Sequence, residues 1–420
     1  MALSGEPDGP PLVAPGAPAS FANATAAMIE ALTAAHPRTQ TVKVDGGHLL
    51  GERAAISGLT RRGPVSAGGM CRLVHASDGL LAVNLPRESD LELVPAWLEQ
   101  GVGDDPWETV VDGCERRRVA DLVGRAALLG LAVARVPQPG EVAADDQSVS
   151  RHQGFPPEPS KVSITARGAV RGEPGLVVDL SSMWAGPLCA HLLGLAGFEV
   201  VKVESLTRPD GARRGPAAFY DLLHAGHHCV ALDFGDRSHL AAIEALLDRA
   251  DVVVESSRPR ALGQLGLGPE RILPRSPDTV WVSVTGYGRS GPWSNRVAFG
   301  DDAAAAAGMV VKGEDGTAMF CGDALADPLA GLAAASAALE LWSDGSGGLI
   351  DVALRDVVGS TLAAVPVRPD VCHAATIRDG RWWLSGPDGQ VPVAEPVARP
   401  ASEPARPLGA DTERILGSLD

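Results

Sequence analysis

Between Gly175 and Thr285 the chain alternates short aliphatic runs with stretches of helical character, and this alternation most narrows what it can fold into. The runs are LVVDLS (176–181), FEVVKVE (198–204), HCVALDF (228–234), DVVVES (251–256) and TVWVSVT (279–285). Near-continuous β-branched and aliphatic residues mark strands buried on both faces. A helix opens at Gly186-Pro187 and runs through Leu195, and another covers 238–249. Strands alternating with helices imply an α/β fold: a doubly wound, mostly parallel, Rossmann-like sheet. No G-x-G-x-x-G follows the first run, so a nicotinamide or flavin dinucleotide is not indicated.

The part before this alternation has a different pattern. Residues 1–20, rich in Pro and Gly, read as a disordered lead, and 21–137 as a smaller α+β domain. That domain holds helices over 21–35, 88–100 and 117–129, the last stopped by Gly130. It also holds a hairpin, 71–75 and 80–85, turning at Ser77-Asp78-Gly79, and a closing strand over 131–136. Residues 138–174 read as a linker, and 175–420 as the large domain with its C-terminal tail. Within the large domain 325–341 is a long Ala-rich helix, and 347–360 a strand followed by a helix.

The formal net charge of −16 argues against a nucleic-acid partner and leaves a polyanionic small ligand only through a local basic patch. Cysteines at 71, 114, 189, 229, 321 and 372 form no C-x-x-C pair, so neither a zinc knuckle nor a disulfide scaffold is indicated; no metal site is expected. Reduced thiols fit a cytoplasmic setting. No run of 18 apolar residues occurs, and the first residues lack the basic start of a signal peptide, so no membrane association is expected.

The fifth strand leads into the stretch where chemistry is expected, VWVSVTGYGRSGPWSNRVAFGDDAAAAAGMV (280–310). It passes through a glycine-punctuated turn and ends in Asp301-Asp302 at the start of an alanine-rich helix. Ligands of open α/β sheets sit at the carboxyl ends of the strands. Helix N-terminal N–H groups favour an ionised carboxylate, which would suit a nucleophile. The plainer reading is that these aspartates cap the helix.

The ordered set of motifs resembles the class III CoA-transferases, the CaiB/BaiF family. VVDLSSMWAGPLCAHLLGLAGFEVVKVE (177–204) is similar to the family's opening strand, A-G-P helix and V-I-K-V-E strand. ADVVVESSRPRALGQLGLG (250–268) is similar to its A-D-V-V-x-E-N-F-R-P-G…L-G-L, and the turn at 286–292 to its G-[FY]-G-x-x-G-P. The family's small domain lies late in its chains, whereas here the segment resembling it comes first.

The resemblance implies CoA transfer from an acyl-CoA thioester to a carboxylic acid through an aspartyl intermediate. Coenzyme A and acyl-CoA are then substrates, with no tightly bound cofactor, and the expected assembly is a homodimer, interlocked in the family. Family CoA contacts correspond to Trp184 and Ala185, Arg213, His224 through His227, Ser256, Ser257 and Arg258, and the turn from Val284 through Thr285, Gly286, Tyr287 and Gly288. Histidines at 224 and 227 replace the family's Asn and Lys, so phosphate binding through them is expected to weaken as pH rises. Counting without a gap places the catalytic position on Gly300; a shift of one gives Asp301, with Asp302 as fallback. Backbone N–H groups of the glycine turns would hold the oxyanion. Two alternatives stay open. Asp327 resembles the second acid of the related acyl-CoA racemases, although Phe299-Gly300-Asp301 lacks their histidine. The chain also fits a CoA-binding relative without catalysis. Gly68-Gly69 reads either as a lid over the site or as an ordinary turn.

Overall fold

In a computed structural model, described for residues 2–101, 103–138, 141, 161–168, 171–364, 375–386 and 389–419, the aliphatic runs form one seven-stranded sheet. Its order is Lys161–Arg167, Ser346–Ala353, Val280–Thr285, Val252–Glu255, Leu176–Asp179, Glu199–Ser205, His228–Leu232. Only the first pair is antiparallel; the rest are parallel, in registers such as Val177↔Val252, Val252↔Val280 and Val178↔Val201. From Leu176–Asp179 the chain adds strands in one direction, then returns to add Val252–Glu255 on the other side. The crevice of such a sheet opens where that reversal occurs, here between residues 180–184 and 256–258.

Helices cover both faces. On one, Ala185–Leu195, Ala326–Ser343 and Pro18–Ala35 pack in a core with Val177, Val252 and Val280. Ala326–Ser343 is apolar all round and buried along most of its length, as a central helix must be. Its small side chains permit a close approach: a Cβ on Gly331 would lie 2.7 Å from the Ala185 carbonyl oxygen. The other face is covered by Arg237–Arg249 and Pro259–Leu265 and by Ile415 of the C-terminal helix Thr412–Gly417.

The hairpin expected near residue 78 is present, Cys71–Ala76 against Gly79–Asn84, and Ala132–Val136 completes a three-stranded antiparallel sheet. Its outer face carries a core around Trp97, whose Nε1 donates to the Leu122 carbonyl at 2.9 Å. Its inner face meets the large body: Cys71, Leu80, Ala82 and Val136 pack on Ala305, Ala318 and Phe320. The front sheet therefore rests on the helix Gly300–Ala306, the one that begins with the paired aspartates.

Several expectations are corrected. The lead is packed: Ala2 is buried beside Leu384 and Val393, with Val13 and Trp382 against them. The first helix begins at Pro18, and its Ala22, Ala26 and Ile29 join the core of the large sheet. The linker reading covers the edge strand Lys161–Arg167, while 142–160 lies outside the described residues. The helix read over 88–100 is two, Glu88–Glu92 and Val94–Leu98, because Pro95 has no N–H to continue the ladder. Helices Pro106–Glu115 and Ala217–His224 and a sheet of Ala375–Arg378, Arg381–Gly386 and Gly389–Pro392 lie in stretches where no element was expected.

Ala305 is fully buried where the front sheet meets the body. Ala305→Glu should lower stability in urea denaturation by at least about 2 kcal/mol, the scale of an uncompensated buried polar group. An unchanged midpoint would mean that the front sheet does not rest on this helix.

Candidate active site

Asp301 and Asp302 start the same helix but face different surroundings. Asp302 is fully buried; its Oδ1 accepts from the Phe299 N–H at 2.9 Å and from Asn84 Nδ2 at 2.8 Å. The first bond is a helix cap, so the plain reading of this stretch describes Asp302. Asp301 keeps 8% exposure, and its Oδ1 accepts from the Ala324 N–H at 2.8 Å. Ala324 holds φ at +43, a strained value for a residue with a side chain, and Met183 in the crevice holds +75.

The helix start was expected to favour ionised aspartates, but burial outweighs its N–H groups. Burial, then the charge of Asp323, pushes the Asp301 carboxyl up to about 6, against the pull of Arg53, the Ala324 N–H and the Ser66 hydroxyl. Burial pushes Asp302 up to about 7 despite the Asn84 and Phe299 bonds. It does the same to Asp327, also to about 7, with Arg53 opposing and Asp301 and Asp323 adding.

Gly300 has no room for a side chain. A Cβ there would lie 2.3 Å from Asp327 Oδ2 and 2.4 Å from the Ala324 carbonyl oxygen. No side chain fits at 300, so a carboxylate can enter this cluster only from 301 onward.

The counter-charge comes from far away in the chain. Arg53, on the helix Glu52–Ser57, donates to both oxygens of the fully buried Asp323, with Nε to Oδ2 at 2.8 Å. Burial works against its charge, but the bond and charge of Asp323 outweigh it and hold the guanidinium protonated above its ordinary range. The same guanidinium lies 5.4 Å from the Trp184 ring centroid, which ties the aspartate cluster to the crevice. Gly69, at φ +83, closes a turn with its N–H on the Ser66 carbonyl, so Gly68-Gly69 is a turn. A Cβ on Gly68 would sit 3.3 Å from an Arg53 nitrogen.

The crevice itself holds several expected residues. Trp184 and Ala185 are buried there, and Trp184 Nε1 has no hydrogen-bond partner among the described residues. Ser182 N–H donates to Ser256 Oγ at 3.0 Å, and Ser257 N–H to Glu255 Oε2 at 2.7 Å, which fixes the loop before Arg258. Arg258 is exposed, and no carboxylate pairs with it among the described residues. Burial, then the positive charges of Arg260, Arg208 and Arg87, lower its affinity for its own proton. Arg87 comes from the front segment and stacks over the Phe299 ring at 5.2 Å. A local basic patch thus stands at the crevice of an acidic protein.

Other expected residues are engaged elsewhere. Arg213 pairs with both oxygens of buried Glu204, at 2.6 Å for the closest contact, and lies over Tyr220 at 4.4 Å. His224 and His227 are buried with neither ring nitrogen hydrogen-bonded among the described residues. Burial, then the charge of Lys202, drives His224 well below its ordinary range; burial, then His191, takes His227 down to about 3. Both are neutral at pH 7, so the expected weakening of phosphate binding with rising pH has no titrating group behind it. In the glycine turn Gly288 sits at φ +88 and spends its N–H on Thr285 Oγ1 at 2.8 Å, which removes it as an oxyanion donor. Tyr287 packs edge-on against Trp293, and Gly286 accepts from the Arg355 N–H.

Sequence reasoning missed Arg53, Ser66, Asn84, Arg87 and Asp323. Only Asp323 carried a signal, as an acid four residues before Asp327 in the otherwise apolar run CGDALADPLAGLAAA.

Residues 175–378 match the model of CoA-transferase family III. This segment, a little under half of the chain, is similar to that family. An acyl-CoA transferase of Fusarium pseudograminearum is 31% identical over 48% of this chain and 48% of its own length. A succinate–glutarate CoA-transferase of Agrobacterium fabrum is 30% identical over 44% of this chain and 52% of its own length. The chain thus spans about half the length of the curated relatives it matches. Among solved structures, a CAIB/BAIF family protein from Brucella suis shares 26% identity over 51% of this chain and 63% of its own, with a TM-score of 0.44.

Asp302 offers a test of this electrostatic arrangement. Its folded carboxyl titrates near 7 against an ordinary 3.8, so the fold binds its proton more tightly than the unfolded chain does. Its contribution to stability is therefore full below 3.8 and is lost as pH rises through about 7. Asp302→Asn has no such proton, so its stability relative to the parent should improve from about pH 5 to about pH 8 in urea denaturation. A difference that does not change with pH would contradict this arrangement.

Proposed function

We propose that this protein moves CoA between an acyl-CoA thioester and a carboxylic acid, with Asp301 as the nucleophile. The observation that carries the reading is the division of labour at the helix start. Asp302 is sealed and capping, while Asp301 keeps exposure and an acidity that leaves it ionised at neutral pH. The family match over 175–378 supports the reaction class.

The atoms balance without a net proton. An Asp301 oxygen attacks the thioester carbonyl carbon and CoA leaves as the thiolate, giving a mixed anhydride. The thiolate attacks the Asp301 acyl carbon and releases the donor acid as its carboxylate, leaving an aspartyl-CoA thioester. The acceptor carboxylate attacks that thioester and expels the thiolate. The thiolate then attacks the acceptor acyl carbon, which yields the new acyl-CoA and restores Asp301. Each exchange splits a difficult displacement into two easier ones.

The phosphates of CoA are assigned to Arg258 and the positive charges around it, because Arg213 is already committed to Glu204. Guanidinium groups suit phosphate by forked hydrogen bonding. The resemblance adds a cytoplasmic homodimer, which sedimentation would show as twice 43.3 kDa. A second reading, α-proton exchange in an acyl-CoA, has one observation in its favour: Asp327 lies against Gly300 with its carboxyl raised to about 7, as a proton donor needs. Deuterium entering the α-carbon of an acyl-CoA in heavy water, without CoA transfer, would select it.

Asp301→Asn should abolish CoA transfer across a panel of acyl-CoA donors and acids and leave CoA binding intact, while Asp302→Asn keeps transfer. Hydroxylamine trapping followed by mass measurement should label the parent and not Asp301→Asn. Two mutants as active as the parent would end the aspartyl mechanism at this stretch.

Arg258→Ala should weaken CoA binding by about 1.5–3 kcal/mol, the scale of a hydrogen bond to a charged group, as read by calorimetry. Unchanged affinity would move the phosphate site elsewhere.

A further inference from the structure

We infer that the Arg53–Asp323 pair is a positioning device that sets the charge state of Asp301, so that the segment before the transferase-like sheet controls the reactivity of a carboxylate within it. The inference rests on Asp301 being the reactive group.

The geometry is specific. Asp323 is fully buried and held at both oxygens by Arg53, and its neighbour Ala324 donates its N–H to Asp301 Oδ1 at 2.8 Å. Arg53 is fixed by that double bond and by the Trp184 face 5.4 Å away. A planar fork held at two oxygens and over a ring has little freedom to turn toward solvent. The two members of the pair act on Asp301 with opposite signs, Asp323 as a like charge and Arg53 as an opposite one.

Other charges near Asp301 are few. Asp327 faces it from the helix Ala326–Ser343, Asp302 from its own helix, and the Cys71 thiol from the front sheet. From the same sheet Asn84 is spent on Asp302, and Arg135 of the strand Ala132–Val136 pairs with Glu141 at 2.7 Å. The helix Leu354–Ala363, packed along Gly300–Ala306, carries Arg355 over the Trp293 ring at 5.4 Å. Arg53 is the cation whose field lowers the Asp301 and Asp327 carboxyls most.

Opposite signs make the device separable from a structural role. Arg53→Gln removes the opposing cation and should move the acid limb of kcat/KM for CoA transfer upward by about one pH unit. Asp323→Asn leaves Arg53 unneutralised beside Asp301 and should move that limb downward by a similar amount. Arg53→Lys should return the limb most of the way to the parent. A substitution that merely loosens the fold would shift both variants alike or lower the rate without moving the limb.

A second readout does not depend on catalysis. Infrared difference titration of each protein against its Asp301→Asn counterpart isolates the Asp301 carboxylate band, and its midpoint should follow the same two directions. If the parent transfers no CoA, the functional reading fails while this titration still decides the inference. If Arg53→Gln does not fold, Asp323→Asn and Arg53→Lys carry the test. Midpoints that stay with the parent, or that move in one common direction, overturn the inference.

Discussion

The apolar seam between the front sheet and the helix Gly300–Ala306 is the contact on which the rest depends. Small residues meet there, Ala82 and Cys71 against Ala305 and Ala318, so two backbones approach closely with little side chain between them. Water is thereby kept from the carboxylates at the start of that helix. Burial is the first cause of the raised pKa values of Asp301, Asp302 and Asp327. The same contact brings Asn84 onto Asp302 and Arg87 onto the Phe299 ring. Without the front segment the body would lose the helix Pro18–Ala35 from its core, its cation and its cover over the aspartates.

The large sheet was legible because both its faces are buried. Unbroken aliphatic runs such as VVVE and VWVSVT can be little else between helical stretches, and they became Val252–Glu255 and Val280–Thr285. Residues 184–185 and 256–258, which lie at the crevice, were named in the sequence through the family resemblance alone. What the sequence hid was pairing across distance. Arg213 and Arg258 look alike in a sequence, but one is forked onto Glu204 and the other stands among positive charges. Likewise His224 and His227 read as phosphate-binding replacements for an Asn and a Lys, while the helix Ala217–His224 and the turn after it carry both inward.

The buried histidines and the buried aspartates illustrate one rule with two signs. Removal from water disfavours the charged form, so the imidazoles lose their proton and the carboxylates keep theirs longer. Near neutral pH the result is a set of neutral rings and a group of carboxylates near their titration range.

The Arg53–Asp323 bond joins residues 270 positions apart. A chain made from its first residue onward, at about 5–20 residues per second, would carry the guanidinium without its partner for roughly 15–50 seconds. During that interval the front sheet can fold, because its own core around Trp97 is local. The aspartate cluster cannot be complete until Asp323 and Asp327 have emerged. Truncation before that point would leave the guanidinium without the carboxylates it faces in the finished protein.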